Sequence, residues 1–188
     1  MMDGLVELDR ELLKLINTTW ANSFFDATMP FARAKFNWIP LYVAMLIWLV
    51  FRFKKNVWLP LIVIVGAVAV SDQIASSVFK PFFERLRPCR NPELELRMII
   101  DCGGGFGFVS SHAATHFAVA LTFPFFFREH LRWLLPVMLL WACWVAYAQI
   151  YVGYHYPSDI VCGALVGTTV AFVATSLARK KLNTHQPA

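Results

Sequence analysis

Charge is what this chain has least of. Only 15% of its 188 residues are Asp, Glu, Lys or Arg, against 58% that are hydrophobic. That balance excludes intrinsic disorder and argues against an ordinary soluble domain. Linkers are missing as well. No Gly/Ser-rich or Pro-rich stretch divides the chain and no internal repeat is present, so residues 1–188 read as one domain. The first 17 residues lack the apolar core of a cleavable signal peptide and carry Asp3, Glu7, Asp9, Arg10, Glu11 and Lys14 instead. Net charge is +5, yet the basic residues fall in short clusters between apolar runs. That pattern fits membrane topology signals and anion binding, and it argues against a nucleic-acid partner.

What is there is hydrophobic length. A bilayer core of about 30 Å needs roughly 20 helical residues. Segments 36–51, 57–79, 109–127, 133–152 and 159–178 meet or approach this, the first extending back toward Asn37 and Arg33 with Trp38 as an interfacial anchor. The predicted fold is an all-α integral membrane bundle of about five transmembrane helices over 36–178. Residues 1–35 supply an interfacial helix and linker. In that helix Leu5, Leu8, Leu12, Leu13, Leu15 and Ile16 alternate with charges at helical spacing. It serves either lipid access or packing against the bundle.

The short connections are basic on one side: Arg52, Lys54 and Lys55; Arg128 and Arg132; Arg179, Lys180 and Lys181. By the positive-inside rule they mark the cytoplasm. The 80–108 loop and the 153–158 turn then face outward, the loop's own cations being assigned to function. The expected location is a bacterial inner (cytoplasmic) membrane, with the site facing the periplasm or exterior.

Three polar islands stand at the outer ends of these runs: KPFFERLRP from Lys80, FVSSHAATH around His112 and YVGYHYPSD around His155. Charged and polar groups at the hydrocarbon edge are costly and mark function. Cations, hydroxyls, two histidines and an acid together suit an oxyanion such as phosphate.

In sequence order, Lys80 with Arg87-Pro88, Ser110 with His112, and His155 with Asp159 resemble the three signature motifs of the type 2 phosphatidic acid phosphatase superfamily. The resemblance implies a lipid phosphatase working without metal or other cofactor through a phosphohistidine. In that scheme His155 is the nucleophile, Asp159 orients it, and His112 is the general acid and then base. Lys80, Arg87, Ser110 and the N–H groups near Ser111 bind phosphate, Ser110 and Ser111 also being plausible N-cap residues. The substrate partner would be a membrane lipid phosphate: polyprenyl pyrophosphate, phosphatidylglycerol phosphate, phosphatidic acid or lipid A. A lipid phosphotransferase and a non-catalytic phospholipid-binding protein are the alternatives.

Two positions depart from the family pattern. Where an arginine usually contacts phosphate in the third motif, this chain has Gln149, which donates hydrogen bonds without charge. Arg85, Arg90 and Arg97 of the loop are the candidates to supply the missing cation. Ser111 stands where the second motif usually has glycine.

Other features have plainer readings. His112 and His116 are four apart, but no Glu follows the first as HExxH requires, so His116 reads as a polar residue satisfied within the bundle. Asp72 reads as hydrogen-bonded within or between helices, with an intramembrane function as the alternative. Cys89 and Cys102 share the outward loop and are candidates for a disulfide, while Cys143 and Cys162 lie within spans as small hydrophobes. Gly103, Gly104 and Gly105 either cradle phosphate or give a flexible approach to the helix that follows. Phe125, Phe126, Phe127, Trp133 and Trp141 read as lipid-facing or packing surface.

Overall fold

A computed structural model describes residues 2–128 and 131–183 of the chain, without the side chains of Met2, Asp3 and Asn183. Residues 1, 129–130 and 184–188, parts of the single-domain reading, lie outside the described residues, as does the Asp3 side chain. Among the described residues every regular element is helical: α1 Met2–Lys14, α2 Ser23–Arg33, α3 Ile39–Phe53, α4 Trp58–Gln73, α5 Lys80–Phe83, α6 Ser111–Phe125, α7 Leu134–Tyr151 and α8 Pro157–Asn183. A wider-wound segment, Ile74–Phe79, carries α4 into α5.

Four stretches are long and apolar enough to cross a membrane: Lys35–Asn56, Trp58–Arg90, Leu134–Tyr151 and Pro157–Leu182. The fifth expected span, 109–127, is shorter than its apolar run. It starts at the Ser110 cap, and α6 holds 15 residues, about 22 Å of helix. It is the central helix of the bundle, packed on α4, α7 and α8.

Small residues permit that packing. Ala113, Ala114, Ala118 and Ala120 of α6 are fully buried. On α8, a Cβ at Gly163 would overlap the carbonyl oxygen of Ser110, and one at Gly167 that of Ala114. Glycine there lets two backbones touch, which is how helices associate where lipid removes the hydrophobic drive.

Residues 1–35 hold two helices. In α1, Leu13 is buried against Leu94, Ala146, Ile150, Tyr156 and Ile160, while Leu5, Val6, Leu8 and Leu12 are exposed. This helix therefore packs on the bundle and still presents an apolar face. In α2, Met29 and Ala32 pack on Ala148, Tyr151 and Val152 of α7 and its C-terminal end. Asn22 caps α2 by accepting from Phe25 N at 2.9 Å. Further along, the Tyr151 hydroxyl donates to Asp26 at 2.7 Å.

The 80–108 loop is tied down rather than free. Cys89 and Cys102 form a disulfide with Cα atoms 5.8 Å apart. Asn17 accepts from Arg97 N at 2.8 Å and donates to Tyr151 O at 2.7 Å, joining loop, amino-terminal segment and α7. At the other end of the bundle, Arg52, Lys55, Arg128 and Lys181 line one shared recess, so the basic connections gather on a single side.

Candidate active site

The nucleophile candidate comes from the turn between α7 and α8. His155 and Asp159 are four residues apart across the start of α8, 2% and 0% exposed. Asp159 is acceptor-only when ionised. Its Oδ1 accepts from Arg85 Nη1 at 2.6 Å, and its Oδ2 from Tyr156 N at 3.0 Å and His155 Nδ1 at 3.4 Å. A proton on Nδ1 leaves Nε2 with a lone pair, and Nε2 lies 3.3 Å from Arg87 Nη1. Burial pushes His155 below its ordinary value of 6.5, with the Asp159 carboxylate opposing the shift. The ring is thus neutral at physiological pH.

Arg87 is aimed by its surroundings. Its Nε donates to Gly104 O at 3.1 Å. Neither role foreseen for the 103–105 glycines covers this contact, in which the run supplies a carbonyl that fixes a cation. Gly103 lies against the Tyr154 ring, whose hydroxyl a Cβ would overlap.

Lys80 and the serines form a second cluster. Lys80 Nζ donates to Ser111 Oγ at 2.6 Å, Ser111 Oγ lies 3.1 Å from Ser76 Oγ, and Ser76 donates to Asp72 at 3.5 Å. Asp72 is thus hydrogen-bonded within its own helix. Ser110 is fully buried and caps α6, its Oγ accepting from Ala113 N at 3.4 Å. Its N–H donates to Asp159 O at 3.0 Å, which ties the start of α6 to the start of α8.

His112 sits in the first turn of α6, close enough to His155, Lys80 and Arg33 for their charges to act on it. His116, one turn on, has both ring nitrogens engaged, Nδ1 at 2.8 Å from His112 O and Nε2 at 3.3 Å from the Tyr42 hydroxyl. Among the described residues no group of three or more His, Cys, Asp or Glu is placed to hold a metal ion.

Of the three loop arginines expected to replace the missing cation, two are otherwise occupied. Arg85 bridges Asp9 and Asp159, 2.6 Å from each, and Arg97 pairs with Asp26 at 2.6 Å. Arg90 is exposed. Gln149 is fully buried, and its amide donates to Arg33 O at 3.4 Å.

Sequence reasoning missed two residues that the structure brings here. Asp9, read as one charge of an amphipathic helix, is buried and accepts from Arg85, from Ser158 N at 2.8 Å and from Ser158 Oγ at 2.5 Å. A polar residue on the same face as Leu13 was the available signal. Arg33 was read only as the edge of the first span.

Four apolar helical stretches long enough to cross a membrane, a short central helix and a buried histidine–aspartate pair flanked by two arginines define a polytopic membrane protein. The sequence profile of the PAP2 superfamily matches residues 61–182, and the chain belongs to that superfamily. It is 36% identical over 172 residues to a lipid A 4'-phosphatase of Bacteroides thetaiotaomicron, covering 89% of this chain and 75% of that protein. It is 32% identical over 181 residues to a lipid A 4'-phosphatase of Porphyromonas gingivalis, covering 90% and 72%. Among solved structures, Aquifex aeolicus LpxE superimposes with a TM-score of 0.71 at 24% identity, covering 88% of this chain and 93% of that one. A Bacillus subtilis transmembrane PAP2-type phosphatidylglycerolphosphate phosphatase gives 0.74 at 20% identity, covering 94% and 87%. At these identities the structural likeness shows the fold alone.

Proposed function

We propose that this chain, acting as one domain, is a lipid phosphatase that removes a phosphate monoester from a glycolipid of the lipid A type. The carrying observation is His155: Nδ1 faces Asp159 and Nε2 faces Arg87. In this reading Nε2 attacks phosphorus in line, forming a P–N bond as the P–O bond to the lipid breaks. His112 gives its proton to the departing oxygen. It then takes a proton from water, whose oxygen displaces His155 and releases inorganic phosphate. Lys80, Arg87, the Ser111 hydroxyl and the first-turn N–H groups of α6 hold the equatorial oxygens as charge builds on them. Ser110 and Gln149 contribute by holding α6 and α2 in place.

Lipid specificity is supported by a cleft of about 590 Å³ between α3, α4 and α6. Its walls include Ile39, Met45, Leu49, Val68 and Phe123, and Lys35, Thr115 and His116, the last one turn beyond His112, line its end nearest the site. An acyl chain lying there places a head group at the histidines. The names of the two relatives above 30% identity favour lipid A over phosphatidic acid, phosphatidylglycerol phosphate or polyprenyl pyrophosphate. The basic connections at the opposite end support a site on the outer face of the cytoplasmic membrane.

The test is a panel of these four lipids presented to the detergent-purified protein and to His155→Ala, with phosphate release as readout. Lipid A should be hydrolysed fastest. A brief acid-free quench with radiolabelled substrate should trap label on the parent protein and none on the variant. Phosphate release that survives His155→Ala refutes the mechanism.

A further inference from the structure

The third motif lacks its cation, and a cation from another helix lies beside the turn that follows that motif's start. Arg33, the last residue of α2, places its guanidinium carbon 4.0 Å from the centroid of the Tyr154 ring. Arg87 lies over the same ring at 4.5 Å. The Arg33 charge reaches both Arg87 and His112. Among the described residues no carboxylate comes within ion-pair distance of Arg33 or Arg87. The Arg33 Nε is buried and has no hydrogen-bond partner.

Two guanidiniums sharing one ring, without an acid between them, repel each other more strongly than they would in water. A bound anion removes that repulsion and gives the unused donor a partner. The local architecture holds the arrangement open. The last turn of α2 has carbonyls with no partner in their own helix. Here Ala32 O accepts from Trp38 Nε1 at 2.7 Å and Arg33 O accepts from Gln149 Nε2 at 3.4 Å. The residue standing where the family carries its arginine thus grips the backbone of the arginine on α2.

We infer that Arg33 is a phosphate-binding residue of this site, supplied from α2, and that Gln149 positions it. The inference rests on the proposed phosphatase reading. It extends the anion site to a helix outside the 61–182 region that the family profile matches. The guanidinium holds the phosphoryl group from the Tyr154 side, while Lys80 and Arg87 hold it from α5 and the loop.

The experiment uses the full chain in detergent with three variants, Arg33→Gln, Arg33→Lys and His155→Ala. Orthovanadate and inorganic phosphate are the binding probes, each measured as an inhibition constant, beside kcat and KM for a lipid phosphate. Arg33→Gln should weaken both anions by about 10- to 100-fold, the range for one charged hydrogen-bonding contact. Arg33→Lys should recover part of that loss, and both should melt within a few degrees of the parent. A purely structural Arg33 would show no preference for lysine and no selective loss of anion affinity. If His155→Ala is inactive while Arg33→Gln binds orthovanadate and turns over like the parent, the assignment of Arg33 is wrong and the phosphatase reading stands. If His155→Ala still turns over substrate, the phosphatase reading itself fails.

Discussion

Asp9→Ala should both destabilise the protein and slow it. Asp9 is 6% exposed and accepts three hydrogen bonds, from Arg85, Ser158 N and Ser158 Oγ. Ser158 N is in the first turn of α8, where N–H groups have no partner in their own helix. Losing its acceptor costs about 1 kcal/mol, as at an N-cap. The Arg85 contact is charged, and such bonds contribute roughly 1.5–3 kcal/mol. The lower part of that range applies, because Arg85 is 26% exposed and keeps Asp159. The sum is about 3 kcal/mol. At roughly 2–4 °C per kcal/mol for a chain of this size, the melting temperature should fall by about 6–12 °C. Because Arg85 also holds Asp159, His155 loses part of its orientation, and kcat should drop roughly tenfold, equivalent to about 1.4 kcal/mol. Asp9→Asn isolates the charge: its carbonyl still accepts from Ser158 N, so the cap contribution returns and the Arg85 contribution does not. Thermal unfolding in detergent and steady-state phosphate release read both quantities. An Asp9→Ala protein that melts with the parent and turns over at the parental rate refutes the reasoning.

Two further outcomes follow from the site. Burial holds His155 below 6.5, so the neutral nucleophile persists at pH values where an exposed histidine is half protonated. The acid limb of kcat/KM attributable to it should lie below 6.5, and a limb at or above 6.5 that disappears in a His112 variant but not otherwise would assign it elsewhere. For stability the sign is the same: below 6.5 the unfolded chain takes up a proton that folded His155 refuses. Its contribution is therefore complete above 6.5 and is lost as pH falls toward the depressed value. The Cys89–Cys102 disulfide closes a short loop, with a sequence separation of 13. Cys89→Ser with Cys102→Ser should lower the unfolding free energy by about 3 kcal/mol on loop entropy. It should also raise KM, since Arg87 and the Gly104 carbonyl that holds it flank the bridge. Superimposable unfolding curves with and without reductant would contradict this.

Much of this site was legible because its chemistry recurs in short motifs. Lys80, Arg87, His112, His155 and Asp159 carry recognisable spacings, and the apolar runs between them bring their ends to one side. Cys89 and Cys102 were legible as loop partners from their shared position. The start of α6 was legible too, Ser110 reading as an N-cap, but its end at Phe125 was not, because the apolar run continues through Phe127. Asp9 and Arg33 were illegible for a different reason. Their partners lie far along the chain, at sequence separations of 149 for Asp9 and Ser158 and 116 for Arg33 and Gln149. No local periodicity marks such contacts. On a helix rich in charge a buried Asp reads like any other, and a basic residue beside an apolar run reads as a membrane boundary.

The amino-terminal helices also change what counts as a transferable unit. Residues 61–182 contain both histidines, Asp159, Lys80, Arg87 and Gln149, and pass as a self-contained catalytic cassette. A chimera built from that segment would inherit a glutamine with no arginine to grip and an Arg85 with one carboxylate instead of two. Swapping residues 2–33 between relatives is accordingly not a neutral exchange of membrane anchors. On the role inferred for Arg33, it exchanges part of the anion site's electrostatics, and a homologue with arginine in the third motif could accept a foreign amino terminus that this chain could not.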